Sequence, residues 1–84
     1  MRSDDVIEVW IKESTLLSFD GRVLEVFGFA DAHRFHIAFA PTISLGKRLL
    51  TIKPSQGGQQ SFFYDQQRTP EIEAFAAAVH AAHT

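Results

Sequence analysis

Apolar and polar positions alternate from the first structured stretch of the chain. In "VIEVWIK", Ile7, Val9 and Ile11 fall on one face and Glu8, Trp10 and Lys12 on the other, the pattern of a half-buried strand. "STLLSFDGRVLEVFGF" repeats it on both sides of Asp20-Gly21, a dipeptide that tolerates the positive φ of a tight type I′ hairpin. With that dipeptide as the loop, Phe19 pairs with Arg22, Leu17 with Leu24 and Thr15 with Val26. Leu17, Phe19, Leu24 and Val26 then share a face.

In "HRFHIAFA", Phe35, Ile37 and Phe39 lie on one side of a strand and His36 and Ala38 on the other. Pro41 has no N–H for a ladder and marks a bend before the short strand "TISL". Gly46-Lys47 turns the chain into "RLLTIK", with Leu50 and Ile52 inward. "PSQGGQQ" is a turn by composition. In the strand "SFFYD", Phe62 and Tyr64 point inward, unless a one-residue slip turns Phe63 in instead.

The periodicity then changes. In "RTPEIEAFAAAVHAAHT", Ile72, Phe75, Ala76 and Val79 form a single apolar stripe at helical spacing. Thr69 suits the N-cap, Pro70 the first helical position, and Glu71 and Glu73 the positive end of the helix dipole. The expected helix runs from about Pro70 to His83 and is roughly 21 Å long.

The expectation is a single domain over residues 1–84, mostly β, with about seven short antiparallel strands and one C-terminal helix. The element order, the "FDGRVLEV" hairpin, "FHIAFAPTISL" before "RLLTIK", and "PEIEAFAAAVHAA" together resemble the pleckstrin-homology-like superfamily, particularly its small bacterial domains. The resemblance spans nearly the whole chain and implies an antiparallel barrel with the helix capping its open end. Lipid-binding members carry basic clusters around their first loop. Here "KESTLLSFDGR" offers only Lys12 and Arg22, which counts against phosphoinositide recognition. The only tryptophan is Trp10, whereas many eukaryotic members place one in the helix.

Composition narrows the functional classes. The chain has 84 residues, so its core is small, and eight phenylalanines supply much of it. Formal net charge is -2, which gives no global attraction for nucleic acid. Absence of cysteine excludes a disulfide framework and cysteine-based zinc ribbons. Asp4, Asp5 and Glu8 stand where a signal peptide needs an apolar run, and no apolar stretch approaches the roughly 20 residues of a membrane helix. The expected location is the cytoplasm.

The four histidines are the obvious candidates for chemistry. On a strand, His33 and His36 point to opposite faces, so they cannot chelate one ion. His80 and His83 share a helix face, but no cysteine or nearby carboxylate completes a zinc site. Ser14, Ser18, Ser44, Ser55 and Ser61 are scattered, with no nucleophile elbow and no His–Asp companions. "SQGGQQ" lacks the lysine and following helix of a phosphate loop. No catalytic residue, metal or cofactor is expected.

Surface apolarity is more informative. After Glu73 the helix carries no Asp, Glu, Lys or Arg, and Ala74, Ala77, Ala78 and Ala81 occupy its outer side. Alanine is the best helix former, and it also lets another backbone approach closely. If Ile7, Val9 and Ile11 face in, Trp10 faces out, with Phe27 and Phe29 on the non-core face of their strand. A one-residue slip of the first strand would bury Trp10 instead. The expected function is a non-catalytic protein-interaction or assembly module that binds a protein partner or pairs as a homodimer. The alternative is anion or lipid-headgroup binding on a basic barrel rim of Lys12, Arg22, Lys47 and Arg48.

Overall fold

The alternating segments form strands, and the period-3.6 segment forms the helix. A computed structural model describes residues 6–28 and 31–82. Among them are β1 (Ile7–Lys12), β2 (Thr15–Phe19), β3 (Val23–Phe27), β4 (Ala32–His36), β5 (Thr42–Leu45), β6 (Leu49–Lys53), β7 (Gln60–Phe63) and α1 (Thr69–Ala82). All strand pairs are antiparallel, in a four-stranded sheet β1-β2-β3-β4 and a three-stranded sheet β5-β6-β7.

Strand pairing does not close the expected antiparallel barrel among the described residues. No ladder joins β4 to β5 or β7 to β1. Between β4 and β5 the chain makes a 3₁₀ turn (Ile37–Phe39), passes through Ala40 at φ 47°, and enters β5 after Pro41. That corner replaces strand pairing, and Pro41 has no N–H to extend it. On the other side α1 lies over β1 and β5.

The 3₁₀ turn also corrects the expected face of Phe39. The His36 Nδ1 accepts the Ala38 N–H at 3.0 Å, and the Ala40 N–H reaches the Ile37 carbonyl at 2.9 Å. These local bonds end the strand at His36. Phe35 remains in the core and Ile37 packs against it, but Phe39 is 46% exposed.

The β2–β3 hairpin keeps its expected faces with a different register. Phe19 pairs with Leu24 and Leu17 with Val26, not with Arg22 and Leu24. Each residue's partner moves by two positions, which leaves every side chain on its own side of the pleat. The Asp20 carboxylate causes the move: its Oδ1 accepts the N–H of Val23 at 2.8 Å and of Arg22 at 2.9 Å. Asp20 thus opens the turn, while Gly21, at φ 93°, occupies the central position that needs positive φ. The Val23 N–H foremost, then that of Arg22, holds the Asp20 carboxyl below the usual carboxylate range.

Cross-strand rows build the core. Phe19, Leu24 and Phe35 lie opposite one another in turn, and so do Val9, Leu17, Val26 and His33. Ile7, expected inward, pairs with Phe19, but on the edge strand β1 it is 39% exposed and stands outside the core. From the second sheet Ile43, Leu50 and Ile52 face them, with Phe62 and Tyr64 packed at the margin. Phe63 is 63% exposed, so the residues turned inward are Phe62 in β7 and Tyr64 just after it. The α1 stripe of Ile72, Phe75, Ala76 and Val79 closes the cluster. Leu17, Leu24, Leu50, Ile52 and Ile72 have no exposed surface, and each such burial contributes about 1.5–3 kcal/mol.

Thr69 is not the N-cap. It already has helical angles (φ -54°, ψ -47°) because a 3₁₀ turn, Gln66–Arg68, leads into α1. Its hydroxyl donates back to the Gln66 carbonyl at 2.6 Å. The end residue of the expected helix, His83, lies outside the described residues.

Candidate functional site

The bonds that seat α1 also shape the surface beside it. Just before the helix, the Arg68 guanidinium donates to the Trp10 carbonyl at 3.3 Å, and the Asp65 N–H donates to the Ile11 carbonyl at 2.7 Å. At the other end the His80 Nε2 accepts the Ile43 N–H at 3.0 Å. α1 is thereby moored to β1 at one end and β5 at the other. Along the β1 side a groove of about 550 Å³ remains open, with Trp10, Ala74 and Ala78 in its walls and Glu8, Arg68 and Glu71 among its polar lining.

Trp10 stands on the outer face of β1 and is 50% exposed, so the unslipped register of that strand holds. Directly opposite it lies Leu16, then Phe27, then Ala32. Strands are spaced about 4.8 Å apart, so Trp10 and Phe27 are about 10 Å apart across a row bridged by Leu16. The outer sheet face and the groove thus form one apolar surface meeting at Trp10. Ala74 and Ala78 line the groove, while Ala77 and Ala81 are exposed elsewhere on α1. Phe29, expected on this surface, lies outside the described residues.

Three of the four basic candidates share one end of the molecule and Arg22 stands apart. Lys12 ends β1 beside Thr15 at the start of β2, whereas Arg22 lies in the turn after Phe19, at the other end of β2. Four residue steps of strand separate those ends, about 14 Å. Lys47 and Arg48, in the β5–β6 turn, belong to the Lys12 end. The Tyr64 N–H bonds to the Arg48 carbonyl there, and the next residue, Asp65, bonds to Ile11. The Arg22 carbonyl instead accepts the Ile37 N–H at 2.6 Å, on the β3–β4 side.

The three histidines among the described residues, His33, His36 and His80, have structural partners. His33 lies on the inner face of β4 with its ring edge-on to Phe62, centroids 5.7 Å apart, and His36 lies on the other face. His36 caps the 3₁₀ turn and His80 holds β5. Among the described residues no three His, Asp or Glu side chains stand close enough to hold a metal ion.

Two surface features escaped the sequence pattern. Leu49 and Phe63 lie opposite each other on the outer face of the second sheet, both exposed. Alternation itself could have flagged Phe63, since placing Phe62 and Tyr64 inward puts it out. A further groove of about 530 Å³ is lined by Arg34, His36, Phe39 and Pro54; it depends on the 3₁₀ corner, which no strand pattern announces. No helix among the described residues is long and apolar enough to cross a membrane. Comparison with known protein families, curated proteins and solved structures finds no significant match.

Proposed function

We propose that this chain is a non-catalytic protein-interaction module that docks a partner on the surface joining Trp10, Leu16 and Phe27 to the Ala74–Ala78 side of α1. One observation carries the reading: two apolar features distant in sequence, Trp10 and the helix alanines Ala74 and Ala78, line the same groove. Large apolar side chains left in contiguous exposure mark contact sites, and tryptophan is prominent among interface anchors. Several polar side chains have structural partners. Asp20 and His36 cap turns, Glu25 pairs with Arg34 at 2.7 Å, and Asp65 pairs with Arg68 at 3.3 Å. The succession of four strands, three strands and a terminal helix supports reading the domain as pleckstrin-homology-like, with its barrel left open between the sheets. The basic-rim reading is weaker, since Arg22 stands apart from Lys12, Lys47 and Arg48.

Photocrosslinking tests the docking surface. With benzoylphenylalanine in place of Trp10, a discrete adduct is expected on irradiation in cells of the source organism. The same group at Ser44, exposed on β5, serves as the control. An adduct of twice the chain mass would identify a second copy as the occupant. Equal yields from both positions, or none from position 10, would overturn the reading.

A further inference from the structure

We infer that the groove between β1 and α1 receives a basic amphipathic segment: an apolar anchor residue flanked by lysine or arginine. This rests on the docking reading above and adds the chemistry of the partner.

The groove walls are apolar, but the charge at its rim is one-sided. Glu8 precedes Trp10 by two residues on the same outer face of β1. Glu71 sits one turn before Ala74 on α1, so Glu71, Ala74 and Ala78 follow one another along a single helix face. Both carboxylates are exposed, and neither forms an ion pair with a described residue. Arg68, the one cation lining the groove among the described residues, does not neutralise them. Its guanidinium bonds to the Asp65 carboxylate and the Trp10 carbonyl, both 3.3 Å away.

An apolar anchor would enter between the Trp10 ring and the small Ala74 and Ala78 side chains, where a neighbouring backbone can come close. Cations on either side of that anchor would then meet Glu8 on the strand wall and Glu71 on the helix wall. Complementary rim charges of this kind steer encounter and select partners more than they add affinity. A second copy fits less well. A two-fold axis through the groove would bring four carboxylates, Glu8 and Glu71 of each copy, onto one buried rim, while Arg68 of each copy is already bonded to Asp65.

The test uses the full chain and a random peptide library displayed on phage. Peptides enriched on the wild-type chain are synthesised, labelled and titrated by fluorescence anisotropy. They are expected to carry an apolar anchor with flanking Lys or Arg and to lose binding to Trp10→Ala. Against Glu8→Lys/Glu71→Lys the same peptides should bind about ten-fold or more weakly, since two attractive pairs become repulsive. Panning on that double variant should select Asp or Glu flanks instead. A control pair of exposed positions, Ser44→Lys/Gln59→Lys, should leave binding unchanged, and circular dichroism establishes that each variant is folded. Trp10-dependent peptides without basic flanks, or with equal affinity for the charge-reversed chain, overturn the basic partner and leave the docking surface standing. If no enriched peptide depends on Trp10, or none is enriched, the docking surface falls as well.

Discussion

Asp20 shows how one side chain resets a hairpin. Asp and Gly both tolerate positive φ, so the dipeptide alone reads as the loop. The Asp20 carboxylate instead accepts the Arg22 and Val23 N–H groups, which moves the turn one residue along the chain. The same bonds set a pH dependence. The folded-state pKa of Asp20 lies below its unfolded value. The stabilisation is therefore complete above the ordinary carboxylate range and is lost as pH falls through the lowered folded value. Asp20→Ala should lower stability by about 0.5–1 kcal/mol in urea unfolding at neutral pH, the size of exposed hydrogen bonds. The gap between variant and wild type should narrow in acid; a constant gap would assign the effect to backbone propensity alone. His36 acts in a similar local way, since its Nδ1 turns the chain where the alternation of "FHIAF" predicts more strand. Such effects are hidden from periodicity because they depend on where a polar side chain finds a backbone N–H.

At the level of elements, the faces of the strands and of the helix were legible. Leu17, Phe19, Leu24 and Val26 share the core face, and Ile72, Phe75, Ala76 and Val79 are all buried. Burial has a period that composition must follow, so a two-residue shift in pairing leaves it intact. What seats α1 was not legible, because the contacts are long-range. The Ile43 N–H on β5 finds the His80 Nε2 across the chain, and nothing near either residue in sequence announces it. His80→Leu removes that acceptor and leaves a part-buried N–H without a partner, which should cost about 1–3 kcal/mol. The urea midpoint should fall while the slope of the transition stays the same. A change within about 0.5 kcal/mol would mean that apolar packing of Val79 and its neighbours alone holds the end of the helix.

For the molecule as a whole, the departure from a closed barrel and the existence of the groove have one origin. Closure would need ladders between the two sheets; the corner at Ala40 and Pro41 and the helix over β1 and β5 stand in their place. A helix laid over strand edges cannot match them along its whole length, and the gap beside β1 is the groove. Its ingredients were visible separately in the sequence, Trp10 as an out-facing aromatic and Ala74 and Ala78 as alanines on the outer side of the helix. Their meeting was not, because it depends on where α1 lands. The same reasoning separates Arg22 from Lys12, Lys47 and Arg48: residues counted together in sequence fall at opposite ends of β2.

The central claim is that Trp10 stands outside the core as an open apolar surface beside α1. Because Trp10 is the only tryptophan, acrylamide quenching of its fluorescence across a protein dilution series measures this directly. The account predicts red-shifted emission and ready quenching in the dilute folded chain. Blue-shifted emission, shielded from quencher at every concentration, would contradict it.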